Sequence, residues 1–141
     1  MGTRALIEIT DETDTVLVTL YKHMDGYPAG LGKELATFLK PIKIVNGLSY
    51  QKHSKIANGV GCLAAQLIAE FKQDAGGLYV YPPGTRNVGE EFIYLIHPVG
   101  EDVVLTIKHN DDILMEDKPQ NFETCFEDVE EAPIKNLEIK E

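Results

Sequence analysis

The block Asp25-Gly26-Tyr27-Pro28-Ala29-Gly30-Leu31-Gly32 constrains this chain more than any other stretch. Three glycines and a proline within it leave the backbone too free, and too poor in donors, for a regular element, so a shaped loop is expected there. The N-terminal side of the block is strand-patterned. Ala5, Ile7 and Ile9 alternate with Arg4, Glu8 and Thr10, and after the turn formers Asp11 to Asp14 the alternation resumes through Val16, Val18 and Leu20, which reads as a β-hairpin. The C-terminal side is helix-patterned. Leu35, Phe38 and Leu39 stand at core spacing in a short helix from about Lys33 to Lys40, stopped by Pro41.

Residues 41 to 57 carry the turn signal Asn46-Gly47 and a polar run, and read as a surface excursion. Asn58 is placed to cap a second helix reaching about Gln73, with Val60, Leu63, Leu67 and Phe71 as its apolar stripe and Gly76-Gly77 as its terminator. Three strands are expected beyond it, at Leu78 to Tyr81, Glu91 to His97 and Asp102 to Lys108. The order ββααβββ predicts an α+β fold: an antiparallel sheet of about five or six strands, both helices on one face, and an acidic C-terminal extension. The division falls between a domain over residues 1 to 110 and a segment over 111 to 141. In that segment Phe122, Cys125, Phe126 and Val129 predict a docked amphipathic helix, and Ile134, Leu137 and Ile139 suit an edge strand.

Charge and composition remove whole classes of function. The first 110 residues hold 12 acids and 10 bases, whereas the last 31 hold 11 acids and 3 bases. A chain of net charge −10 with no basic cluster is repelled by phosphate backbones, so direct nucleic-acid binding is not expected, and charged partners would be basic proteins or metal ions. The longest apolar run, Gly59 to Ala69, is too short to cross a bilayer and contains Gln66, and no secretion signal is read at the start. Leu6 stands where an acylation signal at Gly2 needs Ser or Thr. Two distant cysteines, Cys62 and Cys125, make no disulfide framework, which suits a reducing, cytoplasmic setting.

Two segments hold the candidate chemistry. Tyr21, Lys22, His23, Asp25, Tyr27 and Gly30 place a cation, an imidazole, a carboxylate and two phenols just before a glycine-rich run into a helix. Backbone amides can approach a ligand there, so an anionic group is the natural guest, although no phosphate-loop fingerprint occurs. Tyr81 and Arg86, one of two arginines, form the second segment, since a guanidinium beside an aromatic strand clamps phosphate or carboxylate. His23, His53, His97 and His109 lack metal-ligand spacing, so neither a metal nor a cofactor is expected. His23 and Asp25 are the pair a hydrolase would use as base and orienter, but no nucleophile motif accompanies them.

The segments Tyr21 to Gly32, Asn58-Gly59-Val60-Gly61-Cys62-Leu63-Ala64-Ala65-Gln66-Leu67, Tyr79-Val80-Tyr81-Pro82 and Glu90-Glu91-Phe92-Ile93-Tyr94 resemble a set of short proteins of unassigned activity from bacterial and phage genomes. The resemblance covers roughly residues 3 to 98. It implies a common scaffold with a variable acidic end, and a phage-type accessory or anti-defence gene, but supplies no catalytic residue. The leading expectation is a non-enzymatic binding protein that holds a small anionic, nucleotide-like ligand through Tyr21, Lys22, His23, Asp25, Tyr27, Gly30, Tyr81 and Arg86, with homo-oligomerisation as a way to complete the site. The rivals are an acidic interaction module for a basic host protein and a small hydrolase acting on a nucleotide through His23 and Asp25.

Overall fold

A computed structural model describes residues 2–46 and 56–122. Strands β1 (Ala5–Thr10) and β2 (Val16–Lys22) form the expected hairpin, closed by the Asp11 carboxylate, which accepts the amides of Thr13 at 2.8 Å and Thr15 at 3.0 Å. A short helical turn (Pro28–Gly32) then runs directly into α1 (Lys33–Leu39). Strands β3 (Lys43–Val45) and β4 (Ile56–Asn58) precede α2 (Gly59–Phe71), and β5 (Leu78–Tyr81), β6 (Phe92–Val99), β7 (Asp102–His109) and β8 (Asp112–Asp117) complete the order. Six strands make one sheet in the order β5-β2-β1-β6-β7-β8. None of the described helices is long and apolar enough to cross a membrane.

The α+β class and the strand number match the sequence reading, with four local corrections. The central pair β1 and β6 is parallel, because the segment between the hairpin and β6 crosses over through the helices and returns the chain to the end where β1 begins. Of residues 41 to 57, expected as a surface excursion, 47 to 55 lie outside the described residues, and the rest holds β3 and β4, which pair in parallel as a small second sheet; the Ile44 amide donates to Glu101 O at 2.9 Å, joining it to the β6–β7 turn. Asn58 stands before α2 without a side-chain cap bond, and α2 stops at Phe71, well short of Gly76-Gly77. Those glycines instead take φ of +81° and +80° to turn the chain into β5. Residues 112 to 117, read as the start of the acidic segment, are the edge strand β8, and Phe122 beyond it is fully buried in the main core. The remainder of the expected amphipathic helix and the last edge strand lie outside the described residues.

Both helices pack on one face of the large sheet. Ala5, Ile7, Ile9 and Leu20 meet Leu35, Leu39, Leu63 and Leu67 there, with Tyr94, Ile96, Leu105 and Ile107 from β6 and β7. The opposite face, to which the alternation assigns Arg4, Glu8 and Thr10, is also covered: Leu6 is fully buried and Glu8 only 5% exposed. The cause is the segment between β5 and β6, which folds over that face and closes a second apolar cluster around Leu6, Tyr21 and Ile93. It is pinned by charge. Arg86 grips Glu8 with two parallel bonds, Nη1 to Oε2 at 2.9 Å and Nη2 to Oε1 at 3.1 Å. Thr19 Oγ1 donates to the same carboxylate at 3.2 Å and accepts the Gly84 amide at 2.9 Å.

Removing one member of such a pair strands the other in a poorly hydrated place, a cost reduced here because the Arg86 side chain is 37% exposed. Arg86→Ala is expected to lower the unfolding free energy by about 2 kcal/mol in urea denaturation. Combining it with Glu8→Leu is expected to recover most of that loss. At the other end of the sheet, hydrogen bonds from Lys43 and then Lys118 hold the Asp102 carboxyl below its usual range. A depressed folded-state value means stability present above the ordinary carboxylate range and lost as pH falls through the depressed value. Asp102→Asn is therefore expected to lower the urea midpoint at pH 7, and the gap from the parent protein is expected to close on titration toward about pH 3.

Candidate functional site

The glycine-rich block is more ordered than its composition suggests. Gly26 lies so close to β1 that a Cβ would stand 2.6 Å from the Ala5 Cβ, which is why no other residue fits. Its amide donates to Thr3 O at 2.9 Å and its carbonyl accepts the buried Tyr94 hydroxyl at 2.6 Å. Burial pushes the Tyr94 phenol far above its usual value, so it remains a donor. Pro28 starts the helical turn in the position where its missing N–H costs nothing. The amides of Gly30 and Leu31 both return to Tyr27 O, at 3.0 and 2.9 Å. These amides are spent inside the turn, so what is left for a ligand is side chains rather than the expected backbone cradle.

The turn and α1 form one wall of a cleft of about 890 Å³, within the range typical of small-molecule sites. Lys22, on the helix-side face of β2, and Lys33, heading α1, contribute cations to that wall, with Glu34 beside them. The opposite wall is the end of α2 and the loop after it, carrying Glu70, Gln73 and Asp74. Phe38 and Phe71 lie between the walls, edge to face with centroids 5.8 Å apart. Lys72 holds the far wall in shape. Its ammonium donates to Gly76 O and Leu78 O, both at 2.9 Å, and sits 5.6 Å from the centre of the Tyr79 ring.

The eight residues singled out in the sequence divide between two faces. Lys22 and Gly30 line the cleft. Tyr21 and Tyr81 stack on the other side of the sheet, with centroids 5.0 Å apart and planes 10° from parallel. His23 sits beside them, its Nδ1 3.4 Å from the Tyr21 hydroxyl. Arg86 belongs to Glu8, so it anchors a loop and does not clamp a ligand in this arrangement. Asp25 takes φ of +60° at the start of the block, and the half-exposed Tyr27 ring lies against Gly30. No bond joins His23 to Asp25, so the base and orienter of a hydrolase are not assembled.

Another His-containing group fails as a relay for a different reason. Thr10 Oγ1 at 2.8 Å and Asp14 Oδ1 at 3.4 Å both approach the same nitrogen, Nδ1 of His97, whereas a relay needs one partner on each ring nitrogen. No cluster of three metal-ligating side chains occurs among the described residues. Sequence reasoning missed Lys33, Glu34, Glu70 and Asp74. The available signal was that Lys33 comes directly after the glycine block, on the same side of the fold as Lys22. Compared with family models, with curated proteins and with solved structures, the chain shows no match.

The bond from Tyr94 ties the glycine block to the sheet, so its loss is expected to loosen the cleft before it unfolds the domain. Tyr94→Phe is expected to cost about 1 kcal/mol of stability. Amide hydrogen exchange is expected to speed up most over residues 26 to 33, and equal acceleration across β6 and β7 would show a global effect instead.

Proposed function

We propose that this chain is a non-enzymatic binding protein that holds a small anionic, nucleotide-like ligand in the cleft between α1 and the end of α2, with Lys22 and Lys33 as the cations that receive it. The observation that carries this reading is the contrast among basic side chains. Lys43 and Lys118 are paired with Asp102, Arg86 with Glu8, and Lys72 with two carbonyls, whereas the side chains of Lys22, Lys33, Arg4 and Lys108 make no hydrogen bond or ion pair among the described residues, and of these four only Lys22 and Lys33 line the cleft together. Two unpaired ammonium groups on one wall of a cleft favour an anion at that point.

The same wall argues against turnover as the purpose. Among the described residues no nucleophile is hydrogen-bonded to a base there, and the two lysines can bind and neutralise a ligand without moving a proton. The resemblance to phage accessory proteins favours sequestration of a host signalling nucleotide in the cytoplasm as the use of such a site, a step that rests on analogy.

Native mass spectrometry after incubation with a cell metabolite extract tests the reading. A stoichiometric bound mass is expected, reduced at least about tenfold in occupancy-derived affinity by Lys22→Ala or Lys33→Ala, since each removes a charge-assisted bond. The same spectra count subunits. An apo mass under every condition would overturn the reading.

A further inference from the structure

The cleft is not uniformly basic, and its second wall selects among anions. Lys22 and Lys33 stand on the β2–α1 side, whereas Glu70 and Asp74 come from the end of α2 and its loop, and none of these four side chains is engaged in a hydrogen bond or ion pair among the described residues. Glu70 and Asp74 are exposed in the cleft, where a carboxylate's oxygens are hydrogen-bond acceptors. A ligand that only carries negative charge meets two attractive groups on one side and repulsion on the other. A ligand that spans the cleft must end in donors.

We infer that the ligand is a guanine mononucleotide, its single phosphate at Lys22 and Lys33 and the N1–H and N2 amino edge of its base at Glu70 and Asp74; this rests on the binding reading above. The phosphate count comes from charge. One phosphate brings about two negative charges against two ammonium groups, and each further phosphate would crowd Glu34, the neighbour of Lys33 on α1. The base comes from donor pattern. Guanine presents two adjacent N–H donors on its pairing edge and matches a carboxylate, whereas adenine presents one donor beside one acceptor, whose lone pair faces that of a carboxylate oxygen. The Phe38 and Phe71 rings between the walls offer an apolar surface for the planar base.

Isothermal titration of the whole chain with GMP and with AMP tests this, alongside the double variant Glu70→Gln, Asp74→Asn, whose sites are both exposed and leave the core untouched. GMP is expected to bind at least about tenfold more tightly than AMP, because AMP leaves a charged acceptor unpaired. The double variant is expected to lose that preference, GMP affinity falling and AMP affinity rising as the two charges are removed. Equal affinity for the two nucleotides would overturn the donor-edge inference and leave the binding reading intact. A preference for GMP that survives in the double variant would overturn the placement of the base. Failure of both nucleotides to bind, while the extract still delivers a bound mass, would overturn the ligand class alone. No bound mass from either source would sink the inference together with the reading it rests on.

Discussion

Glu8 is the one carboxylate buried among the described residues, and much of the molecule is arranged around it. It sits on β1, next to the middle of the sheet, where the helices already cover the other face. A carboxylate there must be paired, because hydration is denied it and the interior supplies little in exchange. Arg86 and Thr19 supply the pairing, and the consequence is long-range. The segment from Pro82 to Glu91 is drawn across the sheet, the Leu6–Tyr21–Ile93 cluster is closed, and Tyr81 is stacked on Tyr21. Glu90 then secures the same segment from within by accepting the amides of Asn87 and Val88 at 3.1 and 2.8 Å.

This division of labour separates the two faces. One face is pinned by the Arg86–Glu8 pair, and the other carries the cleft, whose Lys22, Lys33, Glu70 and Asp74 make no hydrogen bond or ion pair among the described residues. The cleft's walls are therefore shaped by groups that do not themselves project into it: Tyr94 behind the glycine block, and Lys72 behind the loop of Gly76 and Gly77. Rigidity comes from behind, and chemistry from in front. That is the usual arrangement when a site must be precise without its binding groups being consumed by structure.

The hairpin, α1, α2 and the strands of the second half were legible because their patterns are local: alternation in Val16 to Lys22, and a three-and-four stripe in Val60, Leu63 and Leu67. The parallel junction of β1 with β6 was not, since it depends on which end of the sheet the crossover regains. The three-residue strands β3 and β4 are too short for periodicity to register. Glu8 read as an outward residue because alternation reports one buried face and is blind to a loop folding over the other. The candidate site was half legible. Lys22 and Gly30 were found through the glycine block, but Arg86 was misplaced for the reason that made it conspicuous: a rare arginine in an acidic chain is as useful to a buried carboxylate as to a ligand. Glu70 and Asp74 flank Phe71, the last residue of the apolar stripe of α2, and look like ordinary helix-end charges until α1 is placed opposite them.

The position of Lys72 also bears on how this protein behaves in a crowd of its own kind. Strand β5 lies at one edge of the sheet, is uncharged, and exposes Tyr79 and Val80, the composition on which a foreign strand would ordinarily grow. Its backbone is closed to such growth at Leu78. The Leu78 amide is held by Gly76 O, its carbonyl by the Lys72 ammonium, and the chain leaves the sheet at Pro82, which has no N–H to offer. Lys72 thus places a charge on the outward carbonyl of Leu78, so a strand growing on this apolar edge would have to displace an ammonium group to pair there.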